Sequence, residues 1–309
     1  MKLEAIDIFN ELIRAGSIRQ AAEGLNISPT AVVRQLDKLE HSFGSALVER
    51  TPRGIRLTAA GEVLAASSFK VAQELKMAQQ LIDDFKGLRR GRVAIHTNGA
   101  AASAILAPAL SEFMLSFPAI TMEVGVSSAQ GALDAVAEGH SQFAVTMFAP
   151  KDPRIEVLFS APVCHEPIMS PSHPLASNAE VTMAQLIRYS LALPNRSFGI
   201  RRVFDARLNK LGLPTTDYAF TTPSLEMQIE LALRGSAVLI LPRMTVAKWL
   251  DMGQLVCRPF VKSEKIISSL ELSHGINQSQ SIAARKLKDF LKNFLEQRLS
   301  ACQTVEIDH

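Results

Sequence analysis

The stretch Ser17-Ile18-Arg19-Gln20-Ala21-Ala22-Glu23-Gly24-Leu25-Asn26-Ile27-Ser28-Pro29-Thr30-Ala31-Val32-Val33-Arg34-Gln35-Leu36-Asp37-Lys38-Leu39-Glu40 decides the fold at the N-terminal end of the chain. Ser17 is a good helix N-cap, because its hydroxyl can accept from a backbone N–H that the helix leaves free. Ala21, Ala22 and Leu25 follow at helical spacing. Asn26-Ile27 makes a short turn. Ser28 then caps the next helix, with Pro29 at its first position, where a missing N–H removes no hydrogen bond. That helix carries Ala31, Val32, Leu36 and Leu39 on its apolar face. Two short helices joined by about three residues make a helix-turn-helix pattern, here from about Ile18 to Asp37.

On the N-terminal side, Leu3, Ile6, Phe9, Leu12 and Ile13 mark a preceding helix that Gly16 stops. On the C-terminal side, two β-like runs between Leu47 and Thr58 flank Pro52-Arg53-Gly54, which predicts a β-wing. Arg and Gln side chains suit base edges and phosphates, and helices that enter a DNA groove make contacts near their N-termini. The candidate DNA-contacting residues are Ser28, Thr30, Arg34, Gln35 and Lys38 of the second helix of the pair and Arg50, Arg53 and Arg56 of the wing. Basic and acidic residues balance over positions 1–66, so the placement of charge matters here and not its sum.

Ser17-x-x-x-Ala21-Ala22-x-x-Leu25-x-Ile27-Ser28, Arg34-Gln35-Leu36-x-x-Leu39-Glu40, Phe43-Gly44, Leu47, Glu49-Arg50 and Leu57-Thr58-x-x-Gly61 together resemble the N-terminal winged helix-turn-helix of LysR-type transcriptional regulators. The likeness covers about 60 residues. Val33 stands where many members have Ser, and Val48 where many have Phe. The resemblance implies an α/β protein with a DNA-binding domain over 1–59, a linker helix over 60–88 and an effector-binding domain over 92–299. The last would resemble a periplasmic binding protein, with lobe I at about 92–162 and 267–299 and lobe II at about 163–266. It implies a double-stranded DNA operator, a small-molecule effector and self-association as a dimer or tetramer.

The residues beyond the wing fit that plan. Leu64, Ser68, Val71, Leu75, Ala78, Ile82 and Phe85 are spaced 4, 3, 4, 3, 4, 3, a heptad seam with Ser68 as its polar break. Such a stripe needs a partner helix or its own chain to cover it, and the resemblance implies a partner helix in a dimer. Gly87 to Gly91 would end the helix and act as a hinge. From Arg92 onward, β-like runs alternate with helices, which predicts mostly parallel sheets with helices on both faces.

Ligands in open α/β sheets bind at the carboxyl ends of strands. Four loops fall there: Thr97 to Ser103, Val126 to Ala129, Asn195 to Ser197 and Thr221 to Ser224. Their hydroxyls and helix starts suit an anionic or hydrogen-bonding metabolite. The candidate effector contacts are Thr97, Asn98, Ser103, Ser127, Ser128, Arg196 and Thr222, with Arg196 the obvious cation among them.

Other chemistries find less support. Hydrophobic residues make up 47% and charged ones 20%, a composition that buries a core. The +3 balance of 33 basic over 30 acidic residues neither favours nor excludes nucleic acid. No apolar run approaches the roughly 20 residues of a membrane span, and the start is unlike a signal peptide, so a cytoplasmic protein is expected. Cys164, Cys257 and Cys302 are scattered, with no CxxC pair, so neither zinc nor a disulfide framework is expected. A thiol-based redox trigger pairing Cys164 with Cys257 stays as an alternative. GxSxG, HExxH, GxxxxGK and GxGxxG are all absent. Cys164 and His165 are neighbours in a β-like run and face opposite ways. Neither an enzyme nor a cofactor is expected, and a solute-binding protein would have no use for a winged helix.

Overall fold

A computed structural model describes residues 3–51, 54–85, 91–215, 218–276, 278 and 280–305. Arg53 of the wing and 86–90, the body of the expected hinge, lie outside them. The chain divides into two compact units, Met1–Leu88 and Arg89–His309.

The first unit is built from α1 (Leu3–Ala15), α2 (Ile18–Leu25), α3 (Pro29–Phe43), β1 (Val48–Thr51), β2 (Gly54–Leu57) and α4 (Ala59–Phe85). The caps are those the sequence predicts. Ser17 accepts from the N–H of Gln20, and Ser28 from that of Ala31, each at 3.2 Å. Asn26 closes α2 in the left-handed conformation, a role Asn tolerates. Phe9, Leu12, Ala21, Val32, Leu36, Leu39 and Leu47 form one buried core. β1 and β2 pair antiparallel, with Glu49 opposite Arg56 and Arg50 opposite Ile55. The wing is anchored at both ends. Glu40 Oε1 accepts from the N–H of Leu47 at 2.7 Å, and the N–H of Ile55 donates to the carbonyl of Gly16 at 2.9 Å.

α4 settles what covers the heptad seam. Leu64 packs on the core of its own unit, and Ser68 is buried, donating to Asn10 Oδ1 at 2.6 Å. The polar break thus ends the part of the seam used within the chain. Farther along, Val71, Leu75 and Ile82 remain 43%, 44% and 48% exposed.

The second unit runs β3 (Arg92–Thr97), α5 (Gly99–Ala101), a π-turn over Ala102–Leu106, α6 (Ala107–Ser116), β4 (Thr121–Val126), α7 (Ala129–Ala137), β5 (Phe143–Met147) and β6 (Ile155–Met169). It continues with α8 (Met183–Leu186), β7 (Ala192–Leu193), α9 (Gly199–Lys210), β8 (Phe220–Thr221), α10 (Leu225–Leu233) and β9 (Leu239–Leu241). The rest is α11 (Ala247–Asp251), β10 (Val256–Cys257), β11 (Ile266–Gly275) and α12 (Ile282–Val305). The π-turn lies just before Pro108, which cannot donate to the carbonyl four residues earlier. Gly99–Ser116 is long and apolar enough by composition to cross a membrane. Its Ala101, Ile105, Leu106, Ala109 and Phe113 are buried in the core of lobe I.

The sheets are more mixed than the alternating rhythm predicts. β4, β3 and β5 are parallel neighbours, but β11 lies antiparallel between β5 and β6. The two β-like runs at 155–159 and 163–169 are one continuous strand, despite Pro162 between them. Pro162 pairs with Ser269 of β11, and β9 and β10 join β6 only from Glu166 onward. The side of β6 without a partner at that level needs no N–H there, so proline is tolerated. β6 therefore serves both lobes, through β11 in one and through β9 and β10 in the other.

Candidate functional site

Two sites emerge, one in each unit. In the first unit, Pro29, Thr30, Val33, Arg34 and Asp37 line one open groove on α3. Spacings of three and four residues put them on a single helical face. Thr30, Arg34 and Lys38 are exposed and Gln35 is half-buried on its flank. Ser28 and Thr30 share a hydrogen bond at 2.9 Å at the helix start. Arg50 and Arg56 are exposed on the wing strands.

The charges of this unit fall into two groups. Arg14 is paired with Glu11 at 2.6 Å, and Arg19 with Glu23 at 3.2 Å. Among the described residues, no ion pair engages Arg34, Lys38, Arg50 or Arg56. Arg14 and Arg19 are neutralised in place, whereas Arg34, Lys38, Arg50 and Arg56 are free to meet phosphate.

In the second unit, a cleft between the lobes holds about 530 Å³ of atom-free space, part of it open solvent. Lobe I supplies Asn98, Gly99 and Ala100 from the start of α5 and Met147 and Phe148 at the end of β5, and β6, which serves both lobes, supplies His165. Lobe II supplies Pro194, Phe198 and Ile200 around the start of α9, Pro223, Leu225 and Gln228 of α10, and Ile240 and Leu241 of β9. None of these is charged.

The sequence-derived effector residues are mostly engaged elsewhere. Asn98 lines the cavity, but its amide also clamps strand ends, accepting from the N–H of Met147 at 3.2 Å and donating to its carbonyl at 3.3 Å. Thr97 is fully buried, and its hydroxyl donates to the carbonyl of Val145 at 2.7 Å. Ser127 donates to the carbonyl of Ser128 at 3.1 Å, and Ser128 caps α7 by accepting from Gly131 at 3.2 Å. Thr222 accepts from the N–H of Ser224 at 3.2 Å. Ser103 is exposed on the π-turn. Arg196 points to solvent, with Nε 3.4 Å from Asp205, and is not in the cavity wall. A hydroxyl at a helix start is drawn to its own backbone first, which sequence position alone does not reveal.

His165, Gln228 and Phe148 are cavity residues that the sequence did not single out for binding. His165 is 3% exposed, and Nε2 lies 2.8 Å from Ser268 Oγ, while Nδ1 is buried with no hydrogen-bond partner among the described residues. Burial pushes its pKa down to about 3, so the ring is neutral at physiological pH. The unfolded chain takes up that proton below about 6.5. Stability of the second unit should therefore fall as pH drops from about 6.5 toward 3 and level off below. Thermal unfolding across this range should show a steeper loss in the native protein than in His165→Phe; parallel curves would refute the assignment.

Gln228 is buried, and its amide donates to the carbonyl of Thr222 at 2.8 Å. Phe148 holds a φ of 59°, a left-handed conformation rare for a bulky residue, with its ring 4.6 Å from that of His165.

The cysteines do not form the pair a redox trigger needs. Cys164 faces Ile267 across the β6–β11 ladder, and Cys257 faces Ile168. Four residues along a strand separate these levels by roughly 13 Å, far beyond the span of a disulfide. Cys257 Sγ donates to Glu166 Oε2 at 2.9 Å, and burial, reinforced by that carboxylate, pushes its pKa well up, away from the reactive thiolate.

Comparison with known proteins matches this architecture. Residues 3–62 match the family described as bacterial regulatory helix-turn-helix protein, lysR family, and residues 86–296 match the LysR substrate binding domain. A probable RuBisCO transcriptional regulator of Cyanidioschyzon merolae is 26% identical over 232 residues, 74% of each chain. Full-length OxyR from Pseudomonas aeruginosa shares the fold with a TM-score of 0.71 at 18% identity, over 94% of this chain and 95% of that one. CbnR complexed with its target DNA does so with a TM-score of 0.67 at 19% identity, over 95% and 100%. A winged helix-turn-helix with free cations on its third helix and a two-lobed domain with a cleft are thus joined in one chain, which belongs to the LysR family of transcriptional regulators.

Proposed function

We propose that the chain binds its operator by laying α3 in the major groove, with Ser28, Thr30, Arg34, Gln35 and Lys38 toward the DNA. Arg50, Arg53 and Arg56 of the wing reach the flanking phosphates, and two copies join through the exposed end of α4. The observation that carries this reading is the division of charge in the first unit, where among the described residues Arg14 and Arg19 are ion-paired and Arg34, Lys38, Arg50 and Arg56 are not. A dimer would place two such helices on half-sites related by its symmetry. A small effector in the cleft would bind one arrangement of the lobes better than another and so shift their equilibrium. The regulator works where bacterial DNA lies, in the cytoplasm, and no step of this reading is catalytic.

Arg34→Ala tests it. The loss of a guanine or phosphate contact costs about 1–3 kcal/mol, so gel-shift titration on an operator fragment found by genome-wide mapping should show roughly 5- to 150-fold weaker binding. The slope of affinity against salt should also become shallower. Unchanged affinity and slope would remove α3 from the interface.

A further inference from the structure

α3 presents two rows of side chains to solvent, each running along the helix at every fourth position, where residues lie one above another. Thr30, Arg34 and Lys38 form the first row, and all three are exposed. Pro29, Val33 and Asp37 form the second, with Pro29 and Asp37 exposed and Val33 half-buried. The next row round the helix turns inward, since Ala31 and Gln35 are half-buried and Leu39 is buried. The outer face of α3 therefore consists of the first two rows. Pro29, Thr30, Val33, Arg34 and Asp37 from these rows line the same open groove.

The two rows have opposite chemistry. Thr30, Arg34 and Lys38 offer hydrogen-bond donors and positive charge, which is what DNA phosphates take up. Pro29, Val33 and Asp37 offer a phosphate nothing. Proline has no N–H and valine no polar side-chain atom. Asp37 is an acceptor only, and it forms no ion pair among the described residues. A helix laid in the major groove with its cations toward one strand backbone brings the adjacent row over the base edges. Val33 is the fifth residue of α3, within the N-terminal turns that reach bases in groove-entering helices. The core of the first unit takes Val32, Leu36 and Leu39 from α3 and leaves Val33 out. An apolar side chain at that place has one apolar counterpart in the major groove, the C5-methyl group of thymine. The other groups that base edges present there donate or accept hydrogen bonds.

We propose that Val33 is a specificity-determining residue that reads the C5-methyl group of one thymine in each operator half-site. The inference rests on α3 lying in the major groove and adds the base that its apolar edge selects. Covering one methyl group with a valine side chain is worth about fourfold in affinity for each half-site. Uracil, which pairs as thymine does but lacks the methyl, loses that factor.

Thymine-to-uracil substitution tests the contact without altering the protein, the base pairing or the phosphate charge. Each thymine of the operator fragment used for Arg34→Ala would be replaced in turn, together with its symmetry mate in the other half-site. Gel-shift titration would compare the native full-length protein with Val33→Ala and Thr30→Ser. We expect uracil at one symmetric thymine pair to weaken native binding roughly fourfold per half-site. Val33→Ala should bind that uracil fragment as well as it binds the unsubstituted one, and Thr30→Ser should keep the native sensitivity. A native protein indifferent to uracil at every position would overturn the proposal, and this arm needs no variant to fold. Sensitivity that persists in Val33→Ala would overturn it too, and its loss in Thr30→Ser would assign the methyl contact to Thr30 instead. Weaker binding by Arg34→Ala with no uracil effect removes the role of Val33 and leaves α3 in the groove. If Arg34→Ala and uracil are both without effect, the placement of α3 falls as well.

Discussion

Leu75→Glu combined with Ile82→Glu is expected to turn the protein into a monomer and abolish tight operator binding. Both side chains stand nearly half exposed on α4, on the stripe that Val71 begins. A 27-residue helix with an uncovered apolar stripe gains its stability by burying it. Across a two-fold interface each glutamate appears twice, so association must bring four carboxylates into an apolar stripe. The penalty is several kcal/mol per buried charge after relaxation, enough to weaken association by several orders of magnitude. Sedimentation velocity should give a single monomeric species at micromolar protein, with each unit still folded by circular dichroism. A stable dimer of the double variant would show that copies associate through another surface. The earlier seam position Ser68 belongs to the monomer, since it is buried against Asn10.

Gly199→Ala is expected to destabilise the second unit, against the usual sign of such a change. Within a helix, replacing glycine by alanine normally stabilises by up to about 1 kcal/mol. At this position a methyl group would overlap Cβ of Phe148 and stand 3.2 Å from its carbonyl oxygen. Phe148 has little room to yield, because its φ of 59° already places it in a narrow left-handed well. Its ring also packs partly on the cores of both lobes. Overpacking of this kind costs typically 1–3 kcal/mol. Thermal unfolding should show the second unit melting several degrees lower, and the reporter response to effector should weaken because Phe148 and Gly199 adjoin the cleft. A variant as stable as the native protein would mean that Phe148 moves aside without loss.

The sequence by itself determined the first unit almost completely. Its helices end where Gly16, Asn26 and Gly44 take left-handed conformations, and two of them begin at Ser17 and Ser28, which bond their own backbones. These are local interactions within a few residues, so residue type and spacing suffice to read them. The two paired strands of the wing were legible in the same way, and so was the repeat along α4. Which part of that repeat covers its own chain was not legible, since a heptad pattern carries no record of whether its partner is intramolecular. The alternation of strands and helices after Arg92 was visible too, but the antiparallel place of β11 between β5 and β6 was not. That pairing joins segments about a hundred residues apart, and the same apolar run serves either strand direction. The cleft was the least legible. Thr97, Ser127, Ser128 and Thr222 have residue types suited to a ligand, yet each is claimed by a nearby backbone group. His165 and Gln228 became cavity residues only when β6 and α10, from different parts of the chain, were brought to opposite walls of one space. The caps and turns of Ser127, Ser128 and Thr222 lie within three residues, whereas the bond of Thr97 to Val145 and the cavity places of His165 and Gln228 join distant segments, and only tertiary structure assigns those.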